Sequence, residues 1–257
     1  MRCPERSRAF TLIEVMVALV IVTLMIGTLA IPIAAQLQLR RAEEARRLLE
    51  EAKEALLGFA VAHARLPCPS TADGRGAESF AVGGDATNGN CADFHAGFLP
   101  GAALGLSPLD AEGFVRDGWE GAHSRVRYAV FGNGASINGV ANPLTRANGM
   151  QAATLAAMGA APHYLFICAT GSAAGPSGCG PAASQLTRRA AMLIWSAGAN
   201  GARAPPAGSD ESRNLDGDAS FVSREASVVP GQEFDDILLW VPIHAVINRL
   251  VIAGRLP

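Results

Sequence analysis

The chain has 257 residues, 21 basic and 23 acidic side chains, a formal charge of −2 and 49% hydrophobic residues. So even a charge balance argues against a dedicated nucleic-acid binder, which needs a basic excess over one face. The apolar content excludes a disordered acidic protein, and the length suits one ordinary domain with an attached segment. The chain opens with Arg2, Arg6 and Arg8 against a single Glu5. Val15 to Ala35 then runs without a charged residue. At 1.5 Å per residue this run covers about 31 Å, roughly the thickness of a bilayer core. It is apolar on every face, so it reads as a membrane helix rather than an amphipathic surface helix. The basic flank predicts an N-in, C-out orientation. A secretory signal peptide is the competing reading, but the run exceeds an h-region and no small-x-small cleavage site closes it.

Glu14 breaks this pattern, following Phe10-Thr11-Leu12-Ile13 at the start of the apolar run. A carboxylate within the bilayer costs about 2.5–3.5 kcal/mol even on the lenient insertion scale. No Lys, Arg or His lies in the next two dozen positions. Its partner is therefore expected from a chain terminus or another subunit. Arg8-Ala9-Phe10-Thr11-Leu12-Ile13-Glu14-Val15 resembles the N-terminal signature of type IV prepilins and type II secretion pseudopilins. The resemblance is dense over residues 6–35 and looser in the helix that follows. It implies a cut by prepilin peptidase between Ala9 and Phe10, and N-methylation of the new Phe10 amine. Ala9 departs from the family, which usually has Gly there. The resemblance also supplies the partner of Glu14, the α-amine of Phe10 on a neighbouring subunit, in a pair that sets subunit register.

Gly27 and Pro32 interrupt the apolar helix, and Pro removes a backbone donor, so a kink or local opening is expected near residues 28–32. Further on, Leu48, Leu49, Ala52, Ala55, Leu56, Phe59 and His63 follow the spacing of one helical face. Glu43, Glu44, Arg47, Glu50, Glu51 and Glu54 occupy the other face. One helix is expected from about Thr11 to Ala64, ending before Leu66-Pro67-Cys68-Pro69. It divides into a transmembrane or filament-core part (10–35) and an amphipathic continuation (36–64) that docks a head, residues 65–257. His63 reads as a core-edge residue. Residues 67–121 read as a long loop region with a short helix near 104–109. Strand signals follow at 124–131, 163–169, 190–196 and 234–241, then a terminal helix at 243–252. The expected fold class is α+β, a long N-terminal helix packed on a C-terminal antiparallel sheet, in agreement with the pilin architecture.

Cys3 lies in the leader and would leave with it. The other four cysteines lie on the extracytoplasmic side, where disulfides persist. Four cysteines allow three connectivities; local closure favours Cys68–Cys91 and Cys168–Cys179, in loops that lack core. Zinc is the competing use, without CxxC or HxxxH spacing to support it. Asp210, Glu211, Asn214, Asp216 and Asp218 form the densest set of oxygen ligands in the chain. They read either as a calcium loop or as a solvated acidic turn. Major pseudopilins carry calcium in a loop of comparable position, so the resemblance adds to the first reading, while the turn-rich sequence itself favours the second. Asp235 and Asp236 read as caps or solvent-facing residues. No GxSxG, Walker A, GxGxxG or HExxH pattern occurs, and the histidines are scattered, so no enzyme is expected.

The expected function is that of a structural subunit of a type II secretion pseudopilus or a type IV pilus-like filament, with a minor or tip-proximal place suggested by the large head. The expected partners are other pilin subunits, prepilin peptidase, the inner membrane and an assembly platform, with no nucleic acid. The head would lie in the periplasm or on an extracellular filament. The competing functions are an adhesin or binding module that uses the pilin anchor, and a plain single-pass membrane protein with an uncut N-terminus.

Overall fold

The computed structural model describes residues 11–119, 124–172, 174–176 and 178–256, and of residues 26–35 the backbone alone. The leader and the Ala9–Phe10 junction lie outside the described residues. The chain divides into two compact units, Met1–Arg41 and Ala42–Pro257. In the first unit, helix α1 (Leu12–His63) begins directly after Thr11 and continues through Gly27 and Pro32. Its described side chains there face outward: Leu12, Ile13, Met16 and Leu24 are all at least 60% exposed. Among the described residues, no helix is long and apolar enough to cross a membrane. The expected span, 10–35, reaches into residues whose side chains lie outside the described set.

In the second unit the remaining turns of α1 bury Ala45, Leu49, Ala52, Leu56 and Ala60. The three-to-four spacing of these residues puts them on one helical face. The face joins Tyr128, Leu193, Val246 and Leu250 in the main hydrophobic core, where each large aliphatic contributes about 1.5–3 kcal/mol by leaving water. Of the stripe read from sequence, Leu48 and Ala55 are half-buried and His63 is exposed, its ring stacked on Phe59.

The helix stops where Ala64 enters the left-handed region at φ 53°. Arg65, only 6% exposed, then forms a two-pronged ion pair with Glu78 at 2.6 and 2.7 Å. The same carboxylate accepts the Cys68 amide at 2.8 Å. A disulfide joins Cys68 to Cys91, with the Cα atoms 5.3 Å apart. Together these contacts tie the irregular segment after α1 to the core, where no long element does so. A second disulfide, Cys168–Cys179, closes the loop between these two residues.

The main sheet has six strands: β1 (Gly97–Phe98), β2 (Arg127–Val130), β5 (Leu165–Cys168), β6 (Gln185–Ser196), β7 (Ser220–Val222) and β8 (Ile237–Pro242). A separate small hairpin pairs β3 (Ser136–Ile137) with β4 (Val140–Ala141). Short helices α2 (Gly101–Leu104), α3 (Gly149–Ala153), α4 (Leu155–Ala160) and α5 (Asp210–Arg213) punctuate the loops. The sheet order is β1-β2-β6-β5-β7, with β8 paired to β6. Strand β6 is the spine. Its residues from Ala190 to Ser196 are all buried, flanked by β2 and β8. The expected antiparallel sheet is corrected here: β5 and β7 pair in parallel, so the sheet is mixed. The reason is topological. The chain turns back from β5 into β6, whose inner stretch pairs with β2 on one edge and leaves the other to β8. The next strand therefore crosses over to the free edge of β5 and runs in the same direction. The last helix, α6 (Ile243–Ile252), follows β8 directly and buries Ile243, Val246 and Leu250. Its Arg249 reaches Glu54 of α1 at 3.1 Å.

Candidate functional site

Two places bring together the residues singled out by sequence. The first is the start of α1. The Thr11 amide and the Thr11 hydroxyl each donate to Glu14 Oε2 at 2.9 Å, while the Glu14 amide donates back to Thr11 Oγ1 at 3.4 Å. This is a reciprocal capping box, in which an N-cap hydroxyl and an N3 carboxylate satisfy helix-end donors that have no partner within the helix. The isolated carboxylate of the sequence reading therefore has an intrachain hydrogen-bonding partner, and Thr11 was the residue missed. Its signal was present in the Thr-x-x-Glu spacing. The box leaves Glu14 one turn into a helix whose neighbouring described side chains are apolar and exposed. A carboxylate there is favoured by the helix dipole by about 1 kcal/mol or less.

The second place lies around the end of β6. Ser209 caps α5, accepting the Ser212 amide at 3.2 Å, and α5 turns Glu211 inward, where it is 5% exposed. Glu211 Oε1 accepts from Asn200 Nδ2 and from the Asp235 amide, both at 2.9 Å. Asp235 Oδ2 accepts the Ala199 and Asn200 amides at 2.9 and 3.1 Å, and its Oδ1 is buried without a hydrogen-bond partner. Asn214 donates to Asp236 Oδ2 at 2.7 Å and exchanges hydrogen bonds with the Val222 backbone. Carboxylate oxygens of Glu211, Asp235 and Asp236 lie within 4.8 Å of one another. Burial, reinforced by the neighbouring Glu211 charge, raises the Asp235 carboxyl. Burial first, with the Glu211 and Asp235 charges adding to it, pushes Asp236 up to about 7. Three acids in this space cannot all be ionised cheaply without a proton or a cation among them.

The expected ligand set is thus redistributed. Asp210 is taken by Arg224 and by the Gly171 amide. Asp216 faces Arg213 at 3.4 Å and accepts the Asp218 amide at 3.0 Å, while Asp218 accepts the Ser220 amide at 2.7 Å. Asp216 and Asp218 thus serve local turns, and Asp210 ties α5 to the loops that hold Gly171 and Arg224. Glu211 alone joins the carboxylate cluster, and Asn214 supports it from behind. The other two members are Asp235 and Asp236, read from sequence as caps or solvent-facing. No local spacing could have joined them to Glu211, because the junction is made by the register of β8 on β6. As a donor set, three carboxylates are of the kind that suits a hard divalent cation such as calcium, while the side-chain amides of Asn200 and Asn214 turn their nitrogens to them.

Among known families, residues 5–30 match the model of the prokaryotic N-terminal methylation motif. The chain carries a prepilin-type signal. This signal is that of type IV pilins and pseudopilins, and it supports prepilin-type processing of the chain. No curated protein and no solved structure matches the chain. Thr11 and Glu14 fall inside the matched segment, so the capping box at the start of α1 belongs to the prepilin-type signal itself. The carboxylate cluster lies outside it.

Proposed function

We propose that the protein is a minor subunit of a type II secretion pseudopilus or a related type IV pilus-like filament, anchored in the inner membrane before assembly. The observation that carries this reading is the prepilin-type signal at residues 5–30, followed by an exposed apolar helix that holds one carboxylate near its start. In this reading prepilin peptidase cuts between Ala9 and Phe10, and the new Phe10 amine is methylated. The Phe10 amine of one subunit meets Glu14 of its neighbour. Exchange of lipid for neighbouring helices is nearly neutral for the apolar side chains, so packing and this ion pair decide assembly. The head of roughly 190 residues exceeds what a filament wall alone requires of a domain, which favours a minor or tip-proximal place. The head holds calcium at Glu211, Asp235 and Asp236, whose donor set fits it. The ion would cancel the mutual repulsion of one buried and two half-buried acids. Filament shearing tests the main reading. With the peptidase present, the chain should enter the sheared filament fraction; with Ala9 replaced by Trp, it should remain uncut in the membrane. Equal recovery of both forms in filaments would refute the reading. An adhesin that borrows the anchor would instead be exposed on cells but absent from the filament.

A further inference from the structure

The head carries two unlike surface features that match each other. One is a knob. Residues 223–234 leave β7 and return toward β8, closed by mutual backbone hydrogen bonds between Ser227 and Phe234. At its tip the Gln232 amide donates to the Val229 carbonyl at 2.9 Å, around Pro230 and Gly231, with Gly231 at φ 78°. This Val-Pro-Gly-Gln sequence has the chemistry of a type II turn, with Pro fixing one φ and Gly supplying the positive one. Arg224 braces the loop, donating to the Gln232 carbonyl at 2.9 Å. The loop is therefore held in shape, yet it presents Val228 at 93% and Val229 at 54% exposure. Glu225 and Glu233 flank the apolar tip, both exposed and neither in an ion pair among the described residues.

The other feature is a groove. Two concavities of about 420 and 550 Å³ meet at His163 and Phe166. One is walled by Phe131 and Tyr164 and is mainly apolar, with His95 and Asp218 also in its lining. The other carries Gln185 and Arg188 and is more polar. Among the described residues, the Arg188 side chain makes no hydrogen bond or ion pair. A rigid apolar tip with acidic flanks on one side, and an apolar hollow beside an unpaired guanidinium on the other, are complementary in both hydrophobicity and charge.

We propose that the groove of one copy receives the Val228–Val229 knob of a second copy, with Glu225 or Glu233 facing Arg188. Knob and groove are different patches, so the contact is heterologous and joins copies head to tail wherever two of them stand together. The pre-formed turn lowers the ordering cost of docking. The contact rests on the filament reading only for its place in an assembly, not for its existence.

The test measures self-association of the full chain in detergent micelles by sedimentation equilibrium. Val228→Asp and Arg188→Glu should each weaken association at least about tenfold, because one buries a charge and the other opposes like charges. Combining Arg188→Glu with Glu225→Arg and Glu233→Arg should restore most of the loss, as a coupled pair does. All four positions are half-buried or exposed, and unchanged melting confirms that each variant folds. Association of Val228→Asp equal to wild type, or no rescue by the charge swap, would overturn the contact. So would a wild-type chain that stays monomeric, or one whose knob variants lose only binding to another protein. Processing at Ala9 is followed in the same cells. An uncut N-terminus with knob-dependent association would strike the filament reading alone, and normal processing without such association would strike the contact alone.

Discussion

Glu14 is the residue on which sequence and structure meet most directly. Its carboxylate is held by the Thr11 amide and hydroxyl within its own chain. That bonding reduces the cost of an acid in an apolar segment without neutralising its charge, so the charge remains available to a neighbour's amine. Glu14→Leu should leave membrane insertion and head folding intact, since it removes a desolvation cost. Filament incorporation should fall sharply, because the neighbour's amine would lose a buried partner worth about 3–5 kcal/mol. Glu14→Gln should be milder. The ratio of filament to membrane-pool protein at equal expression measures this, and normal incorporation of the Leu variant would exclude a register role. Asp236 gives a prediction with a defined sign. Its folded pKa, raised to about 7 by burial, lies above its unfolded value near 4. The folded state thus binds the extra proton between these values, and stability should fall as pH rises from about 4 to 7. Three units correspond to about 4 kcal/mol at most. Asp236→Asn should flatten this fall, as followed by urea denaturation at several pH values. Millimolar calcium should oppose the fall in the wild type at pH 7.5 and leave the Asn variant unmoved. A wild-type stability that rises across this window would contradict the assignment.

At the scale of elements, the two long helices were the most legible part, whereas the short helix expected near 104–109 lies at Gly101–Leu104 and α3, α4 and α5 are too short to show a period. The stripe at Leu49, Ala52 and Leu56 is buried in the structure, and α6 occupies the residues that its spacing suggested, because local periodicity alone defines an amphipathic helix. The sheet was legible in part. Strand β6 was visible only as Ala190–Ser196, where every residue is buried. Its first five residues, Gln-Leu-Thr-Arg-Arg, lack an apolar alternation and so gave no strand signal. Strand β7 is three residues long, too short for any period, and its parallel pairing depends on which edge of β5 is free. The carboxylate cluster was illegible for the same reason, since sheet register brings together Glu211 and Asp235, which stand 24 positions apart in the chain. The segment after α1 depends on a buried ion pair that pattern reading could not find. Glu78→Ala would leave Arg65 charged and unpaired in a site 6% exposed. We expect a loss of about 3–5 kcal/mol, while Arg65→Met together with Glu78→Leu should cost far less. Equal losses in the two variants, measured by denaturant unfolding, would show that the pair is not the clamp it resembles.

For the whole molecule, the two compact units divide the work. The first, Met1–Arg41, carries the prepilin-type signal and the capping box; the second, Ala42–Pro257, carries the core, both disulfides, the carboxylate cluster, the knob and the groove. Signal and apolar helix are features of the sequence itself and were legible before any fold. The surfaces of the head exist only once the sheet has formed. The central claim is that this chain is matured as a prepilin. The measurement that tests it most directly is the intact mass of the protein recovered from membranes of cells with and without prepilin peptidase. With the enzyme, the mass should correspond to a chain beginning at Phe10 and carrying one added methyl group; without it, to the full precursor. A chain that keeps residues 1–9 in the presence of active peptidase would contradict the account.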